Sequence, residues 1–353
     1  MLLPVLLLMG FQSFAADTIP VPAGQRLKIL GAGHHLLIGG ATDLDHHDPE
    51  EEQIVKREYS ILSTENLLKP HSTEPQKGVF RFKQTDAFVK FCMDNGLVAK
   101  GHVLLGRNRY LPEWMKDPKL TPDELKDNLI EHITNLMGRY KKGSPYGHIQ
   151  YWDVLNEEIN GASPYQRLGK DADGDYLYWD LAFRTARAVD PDCVLIWNED
   201  NIENNPKKAD KLYKAIKQLK ANGVPVDGVG FQCHIGYNHA APPDYDYLAK
   251  TFQRFADLGL FIVVSEMDVP GTLDQADIYR KIVAICVNQP KCIIWDTWNV
   301  VDKYSWRRNE GPSNLLFDDN YEAKPAYYAV QAALSGGGAP AMAGAADKNP
   351  GHP

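Results

Sequence analysis

Eight compact, apolar, β-rich runs punctuate this chain, and longer amphipathic stretches lie between them. The runs occupy residues 35–41, 59–65, 97–105, 149–157, 193–199, 227–234, 260–268 and 292–300, with helix candidates at 85–96, 122–140, 206–223 and 274–287. Several candidates carry terminal signals: Asp123 and Glu124 fall in an opening turn, and Gly96 and Gly223 stand just past an end. Alternation of this kind builds successive βα units. Eight of them close most economically into an α/β structure, the (β/α)8 or TIM barrel, with an open doubly wound sheet as the alternative that counting leaves. At 353 residues the chain fits one such domain, expected over residues 20–335.

The two ends have a different character. Residues 1–15 hold an apolar stretch closing on Ser13 and Ala15, which predicts a signal peptide cut after Ala15 and a secreted or periplasmic product. Because no Lys or Arg precedes that stretch, an uncleaved anchor is the alternative. Residues 336–353 are rich in Gly, Ala and Pro without periodicity, the composition of a disordered tail. A net charge of -8 gives no broad basic surface, so neither nucleic acid nor an anionic membrane is an expected partner, and a monomer is expected. Of five cysteines, the close pair Cys286 and Cys292 suits a local bridge, while Cys92, Cys193 and Cys233 are expected as buried thiols. In DLDHHDPEEE (43–52), His46 and His47 are adjacent and lack the i, i+4 spacing of a zinc helix. The acids there are expected to begin a helix, and no metal or cofactor is expected.

In a barrel of this type, chemistry gathers at the carboxyl ends of the strands. The fourth run ends in Asn156, Glu157 and Glu158, and the seventh in Glu266 and Asp268. A carboxylate leaving an apolar strand is costly to desolvate unless it has a partner or a task. Two facing one barrel mouth suit glycoside hydrolysis, which needs one protonated carboxyl group and one ionised one, about 5–5.5 Å apart in a retaining enzyme. The alternative is that both are structural charges paired with nearby Lys or Arg.

Six segments carry a resemblance. WDVLNE (152–157), VVSEMDV (263–269), STENLLK (63–69), KGHVLL (100–105), GVGFQCH (228–234) and WNVVDKYSW (298–306) stand in the order and spacing of glycoside hydrolase family 10, the endo-1,4-β-xylanases. The chain resembles that family over residues 30–330. The resemblance implies that Glu157 is the acid/base and Glu266 the nucleophile of a retaining cleavage of internal bonds in xylan, through a covalent glycosyl-enzyme. It further implies that Asn156 binds the 2-hydroxyl at the cleavage point, that His234 donates to Glu266, and that Gln232 faces the same centre. Glu65, Asn66 and Lys69 match the family's cluster on the glycone side, and Trp298 and Trp306 its stacking walls, whereas Trp295 reads as core. A disulfide between Cys286 and Cys292 is implied as well.

Two departures touch substrate contacts. Gly106 and Arg107 stand where the family commonly has a Trp-His pair, and NRYLPEW (108–114) is closer to its plant-type branch. Asp200, in NEDN (198–201), replaces an aromatic residue frequent on the leaving-group side. Arg107 and Arg109 are expected to read an anionic substituent such as a glucuronosyl branch, with pairing to Asp200 or another barrel acid as the alternative. A hydrolase of another β-glycan, or a glycan-binding relative without turnover, remains the rival reading of the whole.

Overall fold

The computed structural model describes residues 22–237, 241–311 and 313–336, so the expected leader and nearly all of the expected tail lie outside the described residues. Eight parallel strands close into a barrel in sequence order: β1 (Leu37–Ala41), β2 (Ile61–Ser63), β3 (Val98–Gly106), β4 (Ile149–Asn156), β5 (Val194–Glu199), β6 (Gly228–Phe231), β7 (Phe261–Met267) and β8 (Cys292–Thr297). Each falls within its apolar run except β3, which continues one residue beyond it to Gly106, and pairing of Leu37 with Ile294 and Gly39 with Asp296 closes the ring, which removes the open-sheet alternative. The four helix candidates are helices at Lys83–Asp94, Pro122–Arg139, Pro206–Ala221 and Gln275–Val287. Thr121 and Glu124 cap the second reciprocally, satisfying backbone N–H groups that the first turn leaves unpaired. The acids after His47 do open a helix, Pro49–Glu58, with Asp48 as its cap.

Side chains alternate along each strand, and this alternation stacks two unlike layers inside the barrel. The lower layer is apolar, made by Ile61, Ile196, Val263 and Ile294. Two residues further along the same strands stand Ser63, Asn198, Ser265 and Asp296, all buried, with Ser63 donating to Asp296 at 2.5 Å and Ser265 to Asn198 at 2.6 Å. Glycine at positions 39 and 230 makes room for this layer, since an added Cβ would overlap the Asp296 carboxyl in one case and the Asn198 amide in the other. Lys100 crosses the same level, fully buried and 2.5 Å from Asp153, which also accepts from His102 at 2.9 Å. Removing one partner of a buried pair strands the other charge. Lys100→Met is therefore expected to destabilise the fold by about 3–5 kcal/mol in urea titration, and a loss below about 1 kcal/mol would contradict this.

The large apolar residues that point outward pack beneath the helices. Trp295 is among them, fully buried and edge-on to Tyr279, as its place inside a strand predicts. One expectation fails here. Cys286 and Cys292 are free thiols, not a disulfide. Burial, with the neighbouring Cys292 thiol, pushes the Cys286 thiol well above its ordinary range. Cys92, Cys193 and Cys233 are buried thiols, as expected.

Candidate active site

Two backbone irregularities bring the acidic residues to the barrel mouth. On β7 the inward positions are Val263 and Ser265, so regular alternation would turn Glu266 outward; the register against β8 slips between Val264 and Met267, and the side chain faces the mouth instead. At the end of β4, Glu157 has φ +61°, a left-handed conformation that costs a non-glycine residue about 1 kcal/mol or more. Its N–H donates to the Asn198 carbonyl at 3.0 Å, which helps hold the turn. Both carboxyl groups then line one cleft of about 600 Å³.

The two are held by different groups. Glu266 accepts from Asn198 Nδ2 at 2.5 Å and from His234 Nε2 at 3.1 Å. Burial pushes its carboxyl group up, but the His234 hydrogen bond and the charges of His102, His234 and Lys100 outweigh that and hold it below the usual carboxylate range. His234 in turn donates Nδ1 to Asp268 at 2.9 Å. Burial opposes its positive charge, yet Asp268 and Glu266 together push the imidazole up to about 10. With both ring nitrogens donating, His234 is an imidazolium. Because its folded value lies above the ordinary 6.5, the stability it contributes is complete below about pH 6.5 and is lost as pH rises through about 10. NMR of the His234 ring is expected to show it still protonated at pH 8, and a midpoint near 6.5 would contradict the assignment.

Glu157 sits among different partners. Oε1 accepts from Gln232 Nε2 at 3.0 Å, while Oε2 lies 2.7 Å from Arg107 Nε and 3.5 Å from Arg109 Nη2. Arg107 also reaches Asp200 through Nη2 at 2.9 Å, and Asp200 is bound by Lys208. The pairing alternative for Arg107 is the one observed. Asn156 lies behind the acidic pair: its Oδ1 accepts from Asn198 at 2.9 Å and Gln232 at 3.1 Å, and its buried Nδ2 has no hydrogen-bond partner among the described residues. A chain of amides thus links the two carboxyl groups.

Across the cleft, Glu65 accepts from Asn299 at 2.8 Å and Lys69 donates to Asn66 at 2.7 Å. Lys69 is no surface charge: it is buried, which pulls its ammonium group down, and it lies against the Tyr110 and Trp298 rings. Trp298 is buried in the cleft floor, while Trp306 is 40% exposed on the wall and donates Nε1 to Asp268 at 2.7 Å. Of the substrate-contact candidates, only Asn156 does not itself line the cleft. His46 stacks on Tyr304, 3.8 Å between ring centres, and among the described residues no group of three or more His, Cys, Asp or Glu is placed to hold a metal.

A family model described as glycosyl hydrolase family 10 matches residues 27–333. The chain belongs to glycosyl hydrolase family 10. Within the family it is 31% identical over 351 residues to endo-1,4-beta-xylanase B of Thermotoga neapolitana, covering 93% of this chain and 95% of that protein. It is 30% identical to endo-1,4-beta-xylanase B of Humicola insolens, covering 80% of each. Among solved structures, xylanase 10B of Thermotoga petrophila in complex with xylobiose superposes with a TM-score of 0.78 at 32% identity, covering 90% of this chain and 99% of that one.

The site of this family 10 chain includes residues to which pattern reading gave no role. Asp43 accepts from the backbone N–H groups of Glu65, Asn66 and Leu67 and so shapes the glycone-side loop. Asp268 joins His234, Trp306 and Arg307, the last at 2.5 Å, which ties the aromatic wall to the group beside Glu266. Asp268 carried a signal, an acid at a strand end two residues past Glu266. Asp43 carried none, since loop acids that bind backbone amides look like any other turn residue.

Proposed function

We propose that this chain is a retaining endo-1,4-β-xylanase. The observation that carries the reading is two carboxyl groups lining one cleft, Glu266 hydrogen-bonded by His234 and Asn198, and Glu157 on a left-handed turn against Gln232 and Arg107. Glu157 donates its proton to the glycosidic oxygen as Glu266 attacks the anomeric carbon; the carbon–oxygen bond breaks and a glycosyl ester forms. Glu157 then takes a proton from water, whose oxygen displaces Glu266 and leaves the original anomeric configuration. Proton donation requires Glu157 to part from Arg107, and Asp200 is already in contact to keep that guanidinium paired. The buried Asn156 Nδ2 has no partner among the described residues, and its binding of the sugar 2-hydroxyl requires the amide to gain access to the cleft, which it does not line. Relatives named as xylanases and a neighbour holding xylobiose support xylan as substrate. Proton NMR of early products from xylan checks this: β-anomers are expected first, and α-anomers first would exclude retention. Release from mixed-linkage glucan but not from xylan would move the substrate.

The loop after β3 follows the plant-type arrangement in this reading, with Arg107 taking the place of a sugar-binding His. Residues 1–15 direct export, so the exported chain begins at Ala16, which N-terminal sequencing checks. The enzyme acts as a monomer, checked by light scattering.

A further inference from the structure

In an eight-strand ring, the loops after β5 and β6 stand across the axis from β1 and β2, and therefore opposite the Glu65, Asn66 and Lys69 cluster. Asp200, Asn201, Glu203 and Asn204 line that far end, all polar, and give a pyranose no flat apolar surface. Tyr237, following β6, also lines the cleft and is 38% exposed. Among the described residues its ring packs against the Trp306 and His234 rings. The Trp306 ring centre is 5.3 Å away, tilted by 46°, and the Arg307 guanidinium is 5.7 Å from the ring centre. Arg307 is itself fixed by Asp268 and the Ile235 carbonyl at 2.8 Å. Such a ring is pre-positioned and keeps apolar area open to the cleft.

Two further observations point to a ligand at this end. Glu203 is 2% exposed, lines the same wall, and its Oε2 has no hydrogen-bond partner among the described residues. A buried polar atom at a cleft wall calls for a partner, and a sugar hydroxyl supplies one. Beyond it a second hollow of about 700 Å³ shares Asn201 and Asn204 with the cleft and continues along Asn205 and Pro242, so space for chain extends in this direction.

We propose that Tyr237 is the stacking platform for the sugar on the leaving-group side of the cleaved bond, with Glu203 binding a hydroxyl of that sugar. Strand six thus supplies the ring that is absent at Asp200. The inference rests on the xylanase reading and specifies one subsite of it. The test compares kcat/KM on xylotetraose with kcat/KM on β-xylobiosyl fluoride, whose leaving group has no ring to stack. Their ratio is independent of how much of a variant is correctly folded. In Tyr237→Ala the ratio is expected to fall about tenfold, and in Tyr237→Phe to stay within threefold of the native value, because the ring remains. A ratio that moves less than threefold in the alanine variant overturns the proposal, and so does an equal loss in the phenylalanine variant. If the native enzyme cleaves neither substrate, the xylanase reading itself fails before any variant is compared.

Discussion

The Glu266→Ala enzyme is expected to keep less than about one ten-thousandth of the native kcat on xylan, because no other group in the cleft can form the glycosyl ester. Glu157, which points into the same cleft from β4, is left in place. The variant should stay folded: His234 retains Asp268 at 2.9 Å, so its positive charge is not stranded when the second carboxylate goes. The vacated volume suits a small anion. With β-xylobiosyl fluoride and azide, azide attacks from the side the carboxylate occupied, and one displacement gives the α-glycosyl azide. Residual activity above about 1% on xylan, without azide, would remove Glu266 from the nucleophile's role.

The same residue shows how far the sequence reaches. An apolar run ending in an acid marks a strand that can deliver a carboxylate to a barrel mouth, and eight apolar runs with helices between them point to a closed ring, which the pairing of β1 with β8 decides against an open sheet. Periodicity does not show the slip between Val264 and Met267, without which Glu266 would point away from the mouth. Nor does it show the left-handed turn at Glu157, since a positive φ at a residue other than glycine leaves no mark in composition. Both irregularities sit at the carboxyl groups proposed for catalysis, the kind of place where backbone strain is retained.

Long-range charge partners were the least legible part. Arg107 and Asp200 are 93 positions apart, and that they meet beside Glu157 depends on the adjacency of β3, β4 and β5 around the ring. Pattern reading left Arg107 open to either an anionic branch or a barrel acid such as Asp200; in the folded chain it pairs with Glu157 and Asp200. Lys69 was open to a surface reading because its loop looks polar, yet the Tyr110 and Trp298 rings enclose it. The cysteine pair is close in sequence, yet both thiols are free.

Glu157→Ala should lower kcat on xylan by about 10²–10⁴-fold, the usual range for losing a general acid, and the pattern of loss is more telling than its size. A sugar leaving group needs the proton, whereas fluoride does not, so ester formation from β-xylobiosyl fluoride should stay comparatively fast. Release of the ester still needs Glu157 as base. The glycosyl-enzyme on Glu266 therefore accumulates, KM falls with kcat, and mass spectrometry of the quenched enzyme should show the adduct. Arg107, relieved of one acid, keeps Asp200 at 2.9 Å, and Arg109, 60% exposed, is left with Tyr110 and solvent. Azide now has a different task, displacing Glu266 from the ester in a second inversion, which gives the β-glycosyl azide. The two alanine variants are thus distinguished by opposite anomers of one product. If Glu157→Ala yielded the α-azide and Glu266→Ala the β-azide, the roles of the two carboxyl groups would be exchanged, and the imidazolium beside Glu266 would have to be explained by something other than holding a nucleophile ionised.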